Sequence, residues 1–239
     1  MTITNGDRAH AIKEKLLKEA FKVALLEKKE RESSPSPSFM TSTLQQSASS
    51  ALGYSPKKTM MIAQTLYEGV KTHQGVMGVI TYMRTDSLNI SKEAIDGARE
   101  QIKKEYGAAY LPEKPRFYTN KSKGAQEAHE AIRPTILEFT PAIAKEFLKP
   151  DELKLYALIY NRFLASQMNN ARFESQTLVF ESNSGKFKAS GRKLLFDGFY
   201  KVYGDNDKDK LLPDLALGQE VKLSKIDANQ HFTEPPSRY

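Results

Sequence analysis

A chain of 239 residues without a cysteine has room for a sizeable core, but it can form neither a disulfide framework nor a thiolate metal site, and it points to the cytoplasm. No apolar run approaches the ~20 residues of a membrane span, and residues 1–6 lack the apolar centre of a signal peptide, so neither a membrane protein nor a secreted one is expected. Its 36 Lys and Arg against 29 Asp and Glu leave a net +7, an excess that attracts polyanions without identifying one.

Taken in order, Ala11, Ile12, Leu16 and Leu17 recur at helical spacing and predict a helix over residues 7–19, followed by a strand over 21–30. The charged stretch 27–32 leads into Ser33-Ser34-Pro35-Ser36-Pro37-Ser38, which can hold neither a helix nor a central strand. It reads as a crossing between domains, with an ordinary surface loop as the alternative. Two helices follow, over 41–52 and 55–67, the second with Ser55 as its cap, Pro56 at its first position and Gly69 beyond its end. Arranged around Gly53, the pair looks like a helix-turn-helix. Lys57 and Lys58 sit in a first turn whose dipole disfavours cations, which suits a helix end that meets phosphate; two solvated lysines are the plainer reading.

Residues 69–78 read as a flexible connector into the stretch that concentrates chemistry, residues 78–87: Gly-Val-Ile-Thr-Tyr-Met-Arg-Thr-Asp-Ser. Val79 to Tyr82 are β-prone, and Arg84, Thr85, Asp86 and Ser87 then bring together a cation, two hydroxyls and a carboxylate. If this stretch is extended, Tyr82, Arg84 and Asp86 share one face at roughly 7 Å per pair. A phenol beside a guanidinium suits attack on a phosphodiester, because the developing phenolate and the phosphate both need nearby positive charge. The plainer alternative is a half-buried strand tyrosine next to an Arg84–Asp86 surface ion pair.

Further on, Ser91 caps a predicted helix to Tyr106 that buries Ala94, Ile95, Ala98 and Ile102 and ends at Gly107. A Pro-, Lys- and Gly-containing loop over 111–125 leads to a predicted short helix that Pro134 closes, with His129 and Arg133 four apart on one face. Pro134-Thr135 marks a second crossing. Thr140-Pro141 opens a short helix, and a longer one over 151–168 carries the apolar stripe Leu155, Leu158, Ile159, Phe163 and Leu164. Strands are then expected at 177–181, 187–190, 199–203 and 221–226, with a turn at 183–185 and a solvated loop at 205–210.

Two of these stretches match one family. ITYMRTDS (80–87) and EAHEAIRPT (127–135) resemble the active-site segments of type IA DNA topoisomerases of the bacterial topoisomerase I group. A third match is FMTSTLQQ (39–46), followed by Lys57-Lys58-Thr59-Met60-Met61 and Leu66-Tyr67-Glu68-Gly69. The likeness runs from about residue 20 to the C-terminal FTEPPSRY (232–239), and is loosest over 1–19 and 183–215.

The resemblance implies an α+β fold in which a mainly helical domain with the catalytic tyrosine, residues 39–134, is inserted into a discontinuous β-rich arch domain made of 1–38 and 135–239. It implies a cytoplasmic, nucleoid-associated enzyme that relaxes negative supercoils without ATP by transiently breaking one DNA strand through a 5′-phosphotyrosine link. Carried onto this sequence, the nucleophile is Tyr82, Arg84 stabilises the phosphate, and His129 hydrogen-bonds near the scissile group. Asp86, Thr85 and Arg133 organise that site, and Lys57 and Lys58 contact phosphate. The expected partner is DNA, with single strands preferred.

The family's Mg2+-binding Asp-x-Asp-x-Glu cluster is missing, since Asp205-Asn206-Asp207-Lys208-Asp209 matches its spacing only loosely. A further helical domain that grips single strands is missing as well. The chain therefore reads as a fragment, with no cofactor of its own, that binds single-stranded DNA but does not relax DNA alone. The other class of reading is a non-catalytic helix-turn-helix regulator, which would favour one duplex sequence.

Overall fold

The computed structural model describes residues 3, 5–119, 129–203 and 209–232. The expected loop at 205–210 falls largely outside the described residues, as do positions 126–128 of the expected His129 helix, the end of the 111–125 loop and 233–239 of the C-terminal motif. In chain order the elements are α1 (Gly6–Leu16), β1 (Phe21–Ser33), α2 (Thr41–Leu52), α3 (Pro56–Glu68), β2 (Val70–Thr72), β3 (Gly75–Met77), α4 (Lys92–Glu105), α5 (Pro141–Ala144), α6 (Pro150–Ser166), β4 (Ala171–Glu181), β5 (Lys186–Phe196), α7 (Tyr200–Tyr203) and β6 (Glu220–Val221). Helix and sheet are thus mixed, as expected. The chain divides into two compact units: Met1–Arg31, Phe173–Leu195 and Asp207–Tyr239 form one, and Glu32–Arg172 with Phe196–Asn206 form the other.

The first unit is built on a sheet of order β5-β4-β1-β6, in which β1 and β6 run antiparallel with Phe21 opposite Val221 and Lys22 opposite Glu220. Phe21 and Val23 alternate with exposed Lys22 and Ala24, so one face of β1 is buried, and the Phe21 ring meets Phe187 at 5.5 Å. β6 is shorter than the expected strand at 221–226: after Val221 no ladder continues.

In the second unit α6 is the core helix, contacted by α2, α3, α4, α5 and α7. Leu155, Ile159, Phe163 and Leu164 are fully buried as the stripe predicted, but Leu158 is only half-buried. Tyr156 and Tyr160 widen the stripe instead. Their hydroxyls donate to the carbonyls of Phe139 (2.7 Å) and Leu137 (2.8 Å), which lets two polar tips enter an apolar core and pins the 137–139 linker to the helix. The α2–α3 corner follows its local signals: Gly53 takes φ 68° at the end of α2, the Ser55 hydroxyl accepts from the Lys58 N–H, and Pro56 opens α3.

Three expectations are corrected here. Residues 69–78 form the β2–β3 hairpin, with Val70 opposite Met77 and Thr72 opposite Gly75, and the Thr72 hydroxyl closes its turn by donating to the Gly75 carbonyl. Residues 199–203 enter a short helix, because Gly198 at φ 49° turns the chain and the Phe199 N–H is taken by the Asn169 carbonyl. Residues 129–134 are extended, because Ile132 bridges Phe39 and Pro134 bridges Ile80. His129 and Arg133 therefore do not share a helix face.

Candidate active site

Residues 78–89 form a strap crossing the second unit, and local sequence explains how it is held at each end. At its start, Gly78 passes so close to the last turn of α3 that a Cβ there would lie 2.2 Å from the Tyr67 carbonyl oxygen, while the Val79 N–H donates to the Leu66 carbonyl at 2.8 Å. Only glycine fits this approach. At its far end the Thr85 hydroxyl accepts from the Ser87 N–H, the Ser87 hydroxyl accepts from the Asn89 N–H, and the Asn89 carbonyl accepts from the Ala131 N–H at 2.8 Å.

Two threonines fix the middle, and sequence reasoning assigned no role to either. Thr81 ties the strap to the 131–135 segment: its N–H donates to the Arg133 carbonyl (2.9 Å), and its hydroxyl donates to the Ala131 carbonyl (2.8 Å) while accepting from the Arg133 N–H (3.0 Å). Thr41, the first residue of α2, holds the other side. Its hydroxyl lies 2.8 Å from the Met83 carbonyl and 3.0 Å from the Thr85 carbonyl and accepts from the Thr85 N–H at 2.9 Å, while its own N–H donates to the Thr85 carbonyl. The one available signal was their position, one directly before Tyr82 and the other in the FMTST stretch.

The consequence is a regular alternation. Met83, Thr85 and Ser87 are buried, whereas Tyr82, Arg84 and Asp86 are exposed. The alternation of exposure expected of an extended stretch is therefore present, although the chain bends at Met83 and Arg84 and forms an isolated bridge at Ile80 rather than a continuous strand. The Tyr82 ring is 44% exposed and packs edge-on against Tyr67, with centroids 5.3 Å apart. Neither the Tyr82 hydroxyl nor the Arg84 guanidinium has a hydrogen-bond partner among the described residues. Thr85 faces inward and is occupied by Thr41 and Ser87, so its role is in the backbone.

The His129 segment meets the strap through these bonds, and His129 itself is exposed. Arg133 is committed elsewhere: it pairs with Glu130 at 2.7 Å and donates to the Pro134 carbonyl, and Glu130 in turn accepts from the Ser91 N–H at the start of α4. Arg133 thus braces the loop that carries His129. Lys58 lies at the opposite end of α3 from Tyr67, roughly 14 Å away along the helix at 1.5 Å per residue. Its ammonium pairs with Asp151 at 2.7 Å and sits 4.2 Å over the Tyr54 ring, while the Tyr54 hydroxyl donates to the same carboxylate; Lys57 beside it is exposed. The bonds from Lys58 and Tyr54 hold the Asp151 carboxyl below its ordinary value, and burial together with Asp151 pushes the Tyr54 phenol up to about 12.

Asp86 is the only carboxylate in residues 78–87, and among the described residues no three His, Asp or Glu side chains come together in a group that could hold a metal ion. What the strap presents is an exposed phenol and an exposed guanidinium two residues apart, on a backbone held by Thr41 and Thr81, the two groups that attack on a phosphate requires.

All of residues 1–239 match the DNA topoisomerase family, and the chain belongs to it. It is 62% identical to DNA topoisomerase 1 of Campylobacter jejuni over the whole of this chain, which corresponds to 34% of that protein. It is 61% identical to DNA topoisomerase 1 of Helicobacter pylori over 97% of this chain and 32% of that one. Its fold is similar to full-length topoisomerase I of Thermotoga maritima, with a TM-score of 0.78 and 36% identity, over 92% of this chain and 35% of that structure. The chain spans about a third of the length of the relatives it matches. A helix-turn-helix regulator is not favoured, since α2 and α3 pack against α6 within a chain that matches topoisomerases throughout.

Proposed function

We propose that the whole protein, of which this chain forms part, relaxes negatively supercoiled DNA by a type IA mechanism, and that Tyr82 is its nucleophile. The observation that carries this reading is the strap itself: Tyr82 and Arg84 are both exposed on backbone that Thr41 and Thr81 hold by hydrogen bonds. In the forward step the Tyr82 oxygen attacks a backbone phosphorus, forming the P–O bond to tyrosine and breaking the P–O3′ bond. The phenol proton leaves and the departing 3′-oxygen gains one. Arg84 can grip two phosphate oxygens in its planar fork, His129 adds a hydrogen bond near the same group, and Asp86 helps orient the guanidinium. Resealing is the reverse, and the phosphotyrosine link retains the energy of the phosphodiester, so ATP is not required.

The unit containing β1, β4, β5 and β6 corresponds in this reading to the arch, and the helical unit to the catalytic-tyrosine domain. The domains expected to supply Mg2+ and further single-strand grip belong to other parts of the whole protein. Mg2+ would supply charge neutralisation there. We place the protein with the nucleoid in the cytoplasm, and its preferred partner is single-stranded DNA. The test is relaxation by the full-length protein. Tyr82→Phe should abolish relaxation while leaving single-strand affinity intact, and Arg84→Ala should slow it by roughly 10²–10³-fold, as for loss of a transition-state donor. Relaxation that survives Tyr82→Phe overturns the assignment.

A further inference from the structure

We propose that Tyr67 is a positioning residue for Tyr82: its ring fixes the rotamer from which the phenol attacks. The inference rests on Tyr82 being the nucleophile. Backbone contacts already hold the start of the strap against the end of α3, through the Gly78 approach to the Tyr67 carbonyl and the bond from the Val79 N–H to the Leu66 carbonyl. Those contacts set where the Tyr82 backbone lies, but they leave its side-chain torsions free. A tyrosine ring that is 44% exposed would otherwise sample several rotamers.

Tyr67 removes that freedom. The two rings meet edge-to-face at 63° with centroids 5.3 Å apart, the arrangement that aromatic quadrupoles favour. Leu66 beside Tyr67 is fully buried, so the helix turn that carries the bracing ring is itself anchored. Neither tyrosine hydroxyl has a partner among the described residues, so the contact runs through the ring and not through the Tyr67 oxygen. An edge-to-face pair biases a rotamer equilibrium by about two- to tenfold, and a nucleophile held in the reactive rotamer gains that factor in rate.

The experiment uses the full-length protein and a single-stranded oligonucleotide, measuring the rate of covalent adduct formation and, separately, the Kd for noncovalent binding. Tyr67→Leu should slow adduct formation by about two- to tenfold while Kd stays within about twofold. Tyr67→Phe should restore the rate with an unchanged pH profile. In crystals of the protein the Tyr82 side chain should occupy one rotamer with tyrosine or phenylalanine at position 67 and several with leucine; this readout needs no catalysis and applies equally to Tyr67→Met should the Leu variant fail to fold. A wild-type rate with leucine overturns the proposal. Equal slowing by phenylalanine overturns it in favour of a role for the hydroxyl, and a Kd that weakens in step with the rate overturns it in favour of a base-stacking surface. If the unsubstituted protein forms no adduct at Tyr82, the proposed function fails, while the rotamer occupancy still decides whether Tyr67 orders the ring.

Discussion

Replacing Thr41 by valine keeps the shape of the side chain and deletes a single oxygen, and that oxygen closes the strap on the side of Arg84. It bonds the Met83 and Thr85 carbonyls and accepts from the Thr85 N–H, at 2.8, 3.0 and 2.9 Å. Thr85 is 7% exposed, so its N–H loses its partner without gaining water. A buried donor left unsatisfied costs ~1–3 kcal/mol and the lost donated bond ~0.5–1.5 kcal/mol, so a loss of about 2–4 kcal/mol is expected. At about 2–4 °C per kcal/mol for a unit of this size, Tm should fall by roughly 5–15 °C. Thermal and urea unfolding of this chain read the effect directly. Thr41→Ser retains the oxygen and should cost less than about 1 kcal/mol, because only a half-exposed methyl group is lost. If valine proves as stable as threonine, or if serine is as damaging as valine, the hydroxyl does not hold the strap.

Gly78→Ala should destabilise by about 1–3 kcal/mol or displace the strap, because the new methyl group would meet the Tyr67 carbonyl at 2.2 Å; denaturant midpoints compared with wild type check this. Asp151, held below its ordinary value of 3.8 by Lys58 and Tyr54, contributes stability that is present above that value and is lost as pH falls through its lower folded value. Asp151→Asn should therefore flatten the acid limb of the stability curve. The Tyr54 phenol, raised from 10.0 to about 12, contributes the opposite limb, with stability fully present below pH 10 and lost as pH approaches 12; in Asp151→Asn its phenolate absorbance should appear at lower pH. Single-strand binding by this chain should weaken as salt rises, with a slope of roughly −0.7 per neutralised phosphate, and Arg84→Ala should weaken many sequences alike. A salt-independent affinity would contradict phosphate contact.

Local signals made the helices legible. Ser55, Pro56 and Gly69 bracket α3 and Ser91 caps α4, because caps and helical periodicity act within a few residues. The same applies to the strap: burial alternates as its sequence suggests, with Tyr82, Arg84 and Asp86 exposed, even though no continuous ladder forms and the chain bends at Met83 and Arg84. What escaped depended on distant partners. His129 and Arg133 are spaced for a helix, but Ile132 and Pro134 are claimed by Phe39 and Ile80, and pairing across that distance overrides the local spacing. The aromatic run from Phe199 to Tyr203 reads as β-prone, yet the bond from its first N–H to Asn169 and the turn at Gly198 start a helix.

Boundaries between compact units also depend on distant contacts. The crossings after residues 38 and 134 are read from local proline signals, and the compact units divide after Arg31, Arg172, Leu195 and Asn206. The reason is α6, which binds α2, α3 and α4 into one core and so gathers the 135–172 stretch into the helical unit. The clamps at Thr41 and Thr81 showed only as positions in the sequence for a related reason, since a threonine shows its partners only once the carbonyls it reaches are brought beside it.

The most direct test of Tyr82 as the nucleophile is to map the covalent adduct. The full-length protein is mixed with an oligonucleotide labelled at one end or the other, denatured, and digested with trypsin. Cleavage after Lys71 and Arg84 yields the peptide of residues 72–84, in which Tyr82 is the only tyrosine. The expected result is that this peptide carries the DNA fragment bearing the 3′-end label, attached through its 5′-phosphate, while the 5′-labelled fragment is released with a free 3′-hydroxyl. An adduct on any other peptide, or one that retains the 5′-end label, would contradict the account.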